Sequence, residues 1–148
     1  MAMDLTVPQW LRDYVDLWAD RLGLYPEWQP IGIKLARVVY GEELTFAVSA
    51  RIAKLNKATI TFSCDVEDTA EWRITVVHEL LHVKHTRIDA YIRECITPQL
   101  APGAEKVADA GYDQQMESYI ESFAHILYDM WAAKEAEPER IAKVPKRK

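Results

Sequence analysis

Cysteine is nearly missing from this chain, with two residues in 148, Cys64 and Cys95, far apart and in no CxxC spacing. That excludes a disulfide framework and a cysteine zinc module, and leaves two buried or inert thiols as the expectation. Long apolar runs are missing too. No stretch approaches the roughly 18 residues a membrane span needs, so a membrane protein is not expected. The opening MAMDLTVPQW has neither the basic n-region nor the apolar h-region of a secretory signal, which makes the cytoplasm the expected compartment. An excess of positive charge is the third absence. The net charge is −5, and the closing KVPKRK holds four of the eighteen basic residues, so setting those four charges aside leaves −9 on the rest. An acidic body argues against a broad nucleic-acid surface, and the tail from 137 to 148 reads as a flexible, solvated C-terminus.

What is present suits one domain, expected over residues 1–136: 49% of residues are hydrophobic and 28% charged, and the length permits a real core. There are no internal repeats. PQWLRDYVDLWADRLG opens with Pro8 near a helix N-terminus and closes with Gly23 at a helix C′ position, and Trp10, Leu11, Tyr14, Val15, Leu17, Trp18 and Leu22 recur at helical spacing. The period then changes. IGIKLARVVY, LTFAVSARIAKL and ATITFSC are rich in β-branched residues and partly alternate, with GEE and NK as turns between them, which predicts three antiparallel strands. Helical spacing returns in DTAEWRITVVHELLHVKH, with Asp68 and Glu71 resembling a capping box, a start near Thr69 and an end at about His85. After an ambiguous segment with a loop at Pro102-Gly103, a long last helix is expected from about Asp113 to Ala136, with Asp113 as its N-cap. The expected fold class is therefore α+β.

The chemistry concentrates in HELLH, residues 78 to 82. Residues i and i+4 of a helix lie about 40° apart around the axis and one turn apart along it, so His78 and His82 are able to share one Zn²⁺. Glu79 lies about 100° round from His78, where a carboxylate serves as general base toward a metal-activated water. On a helical wheel Glu71, Thr75, His82 and His85 fall within about 60° of His78, while Val76, Val77, Leu80 and Val83 fill the opposite half and Leu81 sits at the edge of the stripe. A narrow, histidine-lined polar stripe on a helix otherwise made for burial favours a site over a solvated face. The metzincin continuation is lacking, since position 85 is His rather than Gly and position 88 is Ile rather than His. His85 is thus a surface residue or a group behind the site.

The third ligand must come from elsewhere, and MESYIESFAHIL, residues 116 to 127, supplies it. Glu117 and Glu121 are i and i+4 on one face, so one is able to bind the metal while the other orients a ligand histidine. Glu117 lies nearer the apolar stripe and is the expected ligand. Glu121 is the expected second-shell carboxylate or alternative ligand. His125 falls nearly opposite the stripe and reads as a surface histidine. Two imidazoles and a carboxylate favour a single zinc ion.

An N-terminal helix, a small antiparallel sheet, VVHELLHV and a later helix reading ESYIESFAHIL together resemble the compact zincin-type metallopeptidases of bacteria and their phages, over about residues 28 to 130. These include minimal gluzincins and the ImmA/IrrE-like group, whose later helix carries a glutamate shortly before a Phe-Ala pair. HELLH matches in full. The second motif departs, because the position four before Phe123 is Tyr119 rather than glutamate, which keeps both Glu117 and Glu121 open as the ligand. The resemblance implies a zinc peptidase that binds an extended peptide along a sheet edge beside the active-site helix, with ATITFS as the candidate edge strand. It also implies a donor for the tetrahedral oxyanion, for which His85, Tyr91, Tyr112 and Tyr119 are the candidates. The competing expectations are a scaffold that acts as a binding or regulatory module toward a repressor or phage partner, and a metal-dependent nuclease. Glu79 favours the peptidase, because a pure binding module has no need of a general base there.

Overall fold

The computed structural model describes residues 5–37 and 46–142, the last six as backbone only. Among the described residues the fold is α+β: three helices and a three-stranded sheet. The expected GEE turn and the closing KVPKRK lie outside the described residues. Helix α1, Gln9–Arg21, buries Leu11, Val15, Trp18 and Ala19, the i, i+4, i+7 and i+8 positions of one face. It ends in a Schellman motif. Gly23 takes the left-handed conformation (φ +67°), and the N–H groups of Gly23 and Leu24 donate to the carbonyls of Asp20 and Ala19. The ammonium of Lys84 caps the same end, donating to Leu22 O at 2.7 Å.

Strands β1 (Gly32–Ala36), β2 (Ala47–Ile52) and β3 (Lys57–Ser63) form a sheet in the order β1-β3-β2. The sheet is mixed, which corrects the all-antiparallel expectation: β2 and β3 pair antiparallel, but β1 pairs parallel with β3, from Gly32↔Thr59 to Ala36↔Ser63. The hairpin between β2 and β3 turns through Ala53–Leu55 and Asn56, whose left-handed φ of 48° suits an asparagine. Along β3 the period is 2. Ala58, Ile60 and Phe62 are buried under the helices, while Thr59, Thr61 and Ser63 are half-buried on the other face.

Helix α2, Ala70–Tyr91, lies on that apolar face and buries Trp72, Val76, Val77, Leu80, Leu81 and Val83. The Thr69 hydroxyl accepts from Trp72 N and caps the start, while Asp68 pairs with Arg73 instead of forming the expected box. The helix runs past His85, where Asp89 is held from outside by Arg51 and the Thr86 hydroxyl donates back to His82 O within the helix. A π-helical turn (Ile92–Ile96) and a 3-10 turn (Thr97–Gln99) containing Pro98 then end it. Helix α3 spans Ala104–Ala142, starting nine residues before the expected Asp113 and running past Ala136. Asp113 is therefore mid-helix and pairs with Arg93 rather than acting as an N-cap. Ile120 and Ala124 join the core from this helix, and Trp131 meets Trp18 edge to face at 6.3 Å. Both cysteines are free thiols, as expected, but neither is buried: Cys64 is half-buried and Cys95 exposed. No described helix is long and apolar enough to cross a membrane.

Candidate metal centre

His78 and His82 project from one face of α2, one turn apart, with ring centroids 4.9 Å from each other. Their Nε2 atoms are 3.2 Å apart. From α3, Glu117 reaches both: its two carboxylate oxygens lie 3.0 Å from His78 Nε2 and 3.1 Å from His82 Nε2. These donors form a possible metal-binding group, all within 4.8 Å of one another. Zinc bonds of about 2.0–2.1 Å in a tetrahedral arrangement separate neighbouring donors by roughly 3.3 Å, close to the spacing here.

Behind this triangle stands Glu121, whose Oε2 lies 2.9 Å from His78 Nδ1. A carboxylate at Nδ1 favours the tautomer with the proton there, so Nε2 presents its lone pair to the triangle. A lone pair 3.0 Å from a carboxylate oxygen is repelled unless a proton or a metal cation lies between them. The geometry therefore asks for a positive centre, and a divalent metal fits the two-imidazole, one-carboxylate set. Burial depresses the His82 imidazole to about 4, an effect that the nearby Glu117 carboxylate opposes, so the ring is neutral and able to ligate at neutral pH.

Glu79 points off the same turn and is buried, with 6% of its surface exposed. Desolvation raises its pKa; the neighbouring His78 and a hydrogen bond with the Ser49 side chain oppose the rise. It lines the same cleft as His78, Glu117 and Glu121, a cavity of about 510 Å³. A carboxylate with a raised pKa facing a cleft beside such a triangle is suited both to accept and to return a proton.

Strand β2, rather than ATITFS, borders the site. The parallel pairing of β1 places β3 in the middle of the sheet, so the edge-strand expectation falls on the wrong strand. Phe46 and Ser63 stand opposite each other and are hydrogen-bonded, Ser63 N donating to Phe46 O at 2.8 Å. By antiparallel alternation, Ala47, Ser49 and Arg51 turn their backbone groups away from β3, to an edge that pairs with no other strand among the described residues. The β2 side chains reach α2: Ser49 meets Glu79, and Arg51 Nη1 donates to His82 O at 2.7 Å and Asp89 at 3.2 Å.

None of the four expected oxyanion donors lines the cleft. Tyr112 donates its hydroxyl to Asp89 at 2.6 Å, and burial together with that carboxylate raises its pKa. Tyr119 stacks on Phe123 and meets the edge of His85, whose Nδ1 lies 2.7 Å from Leu81 O. Tyr91 is exposed on the last turn of α2, thirteen residues beyond His78 and so about 20 Å along the axis. The residues that do line the cleft include His125, which sequence reasoning left on the surface. It is exposed, but its Nε2 lies 3.3 Å from Glu121 Oε1. Its i+4 spacing from Glu121 was the available signal, and the wheel measured from the apolar stripe hid it. Compared with protein-family models, curated proteins and solved structures, the chain matches none.

Proposed function

We propose that this chain is a compact zincin-type metallopeptidase that hydrolyses peptide bonds, with His78, His82 and Glu117 holding one zinc ion and Glu79 as general base. The observation that carries the reading is the convergence of three ligand atoms within 4.8 Å beside a cleft that His78, Glu117 and the buried carboxylate of Glu79 line. Burying Glu79 costs stability, and its position next to the ligands gives that cost a purpose that a pure binding module lacks. A zinc ion held by this set supplies Lewis acidity, acidifying water and polarising a carbonyl.

The chain's own residues supply the rest. Glu121 holds the His78 ring by Nδ1 and keeps Nε2 free to ligate. Ser49 fixes the carboxylate of Glu79, which takes one proton from the attacking water as its oxygen adds to the carbonyl carbon. When the C–N bond breaks, the same carboxyl returns that proton to the leaving amine. The edge of β2 that pairs with no strand among the described residues offers the backbone groups of Ala47, Ser49 and Arg51 to an extended substrate strand, which supports strand addition there rather than along β3. The acidic cleft disfavours a nucleic-acid substrate.

The test is zinc content and peptide cleavage measured together for the wild type and Glu79→Gln. We expect stoichiometric zinc in both, cleavage in the wild type, and a fall in kcat of at least about 10²-fold in the variant. Full zinc loading with no Glu79-dependent cleavage of any peptide library would return the chain to the binding-module reading.

A further inference from the structure

The cleft extends beyond the metal ligands toward the N-terminal end of α2, and there its walls change character. Phe46, Ala47 and Ile74 make them apolar, while Glu71 and Thr75 supply the polar groups. Glu71 lies seven residues before His78, two turns along the same face of the helix and about 10 Å from it along the axis. The Thr75 hydroxyl donates to the Glu71 backbone carbonyl, not to its side chain. Among the described residues the Glu71 carboxylate has no hydrogen-bond or ion-pair partner.

The other three carboxylates of the cleft are engaged. Glu117 meets both histidines, Glu121 meets His78 and His125, and Glu79 is buried on Ser49. No lysine or arginine among the described residues lines this cleft. Two guanidinium groups, Arg51 and Arg93, border a smaller cavity of about 160 Å³ shared with His82 and Glu117, and there they are paired with Asp89 and Asp113. Apolar walls that end in an unpaired carboxylate match one kind of side chain, a methylene stem that lies on apolar surface and carries a cation at its tip. Phe46, exposed and set edge to face on Trp72 at 4.9 Å, adds an aromatic surface for a guanidinium.

We propose that Glu71 sets the specificity of the cleft by pairing with a lysine or arginine side chain next to the scissile bond, its stem lying along Phe46 and Ile74. This rests on the peptidase reading above. Glu71 borders the cleft on one side of the ligands only, so a basic residue is favoured at one of the two positions bordering the bond and not at both.

The test uses the zinc-loaded full chain and a fluorogenic peptide library varied at both flanking positions. We expect kcat/KM for Lys and Arg to exceed that for Leu and Glu by about tenfold or more at one position. Glu71→Gln flattens the preference, Glu71→Lys shifts it toward acidic residues, and Glu71→Asp, which keeps the charge in the first helical turn, retains part of it. A purely helix-stabilising role for Glu71 predicts changes in Tm without this reordering. Fluorescence anisotropy of labelled basic and acidic peptides on zinc-loaded Glu79→Gln, with and without Glu71→Gln, reads the same subsite without turnover. Cleavage with no basic preference, or with one that survives Glu71→Gln, overturns the subsite and leaves the peptidase. Glu71-dependent binding of basic peptides without cleavage keeps the subsite and overturns the peptidase. Neither binding nor cleavage overturns both.

Discussion

The imidazole of His78 is held from two sides: Glu121 Oε2 lies 2.9 Å from Nδ1, and Glu117 Oε1 lies 3.0 Å from Nε2. The two carboxylates therefore have unequal duties. Removing Glu117 deletes a ligand and opens the triangle. Removing Glu121 leaves all three ligand atoms and costs only the orientation of one ring. The expected outcome is that Glu117→Ala fails to retain zinc on gel filtration, whereas Glu121→Ala retains it with affinity weakened about 10–100-fold in a competitive chelator titration. The opposite order, with Glu121→Ala losing the metal and Glu117→Ala keeping it, would exchange their roles.

The pH dependence of the metal-free protein carries two opposed signatures. Burial raises the folded pKa of Glu79 above its unfolded value, so its contribution to stability is fully present below about 4.5 and is lost as the pH rises through the folded value. His82 runs the other way. Its folded pKa of about 4 lies below the unfolded value near 6.5, so in that interval the unfolded chain binds more protons and stability declines as the pH falls from 6.5 toward 4. Glu79→Gln removes the first effect and keeps a polar group for Ser49. It is expected to stabilise the metal-free protein at pH 7 by on the order of 1 kcal/mol, with the gain vanishing at pH 4. Urea unfolding at the two pH values checks this, and a variant less stable than wild type at pH 7 would contradict a costly buried carboxylate. Catalysis and stability then respond to the same substitution with opposite signs.

The helices and the HELLH stripe were legible because burial writes a strong period into a sequence. Val76, Leu80 and Val83, opposite His78 on the wheel, are all buried. The start of α3 was not legible, since GAEKVADAG has almost no apolar stripe; that stretch is tied by Asp109, which accepts from the Thr97 hydroxyl at 2.9 Å, a contact no local pattern reveals. Strand order was hidden for a similar reason. Alternation tells which face of β3 is buried, but a parallel and an antiparallel neighbour present the same alternation, so the strand beside the site was misassigned. The triangle of His78, His82 and Glu117 joins two helices whose contact the wheel did suggest. Arg51 and Asp89, which brace its underside, come from a strand and a helix turn that had no motif to mark them.

That bracing is itself measurable. Arg51 donates to the backbone carbonyl of His82, Asp89 holds Arg51 through Oδ2, and Tyr112 donates to Asp89 Oδ1, so α3, α2 and β2 meet in one partly buried chain of hydrogen bonds. Because burial and Asp89 keep the Tyr112 hydroxyl protonated, it acts as a donor throughout the neutral range. Deleting the hydroxyl in Tyr112→Phe is expected to cost about 1 kcal/mol, a typical net hydrogen bond, and Asp89→Ala about 1–3 kcal/mol because it also strips Arg51 of its counter-charge. The two changes touch the same carboxylate, so the double variant should be less destabilised than the two single losses added together, with a coupling of at least about 0.5 kcal/mol. Urea unfolding of the four proteins measures it. Strict additivity would mean that Tyr112 does not stabilise α3 through Asp89, and Tyr112 would then be a bystander to the metal site.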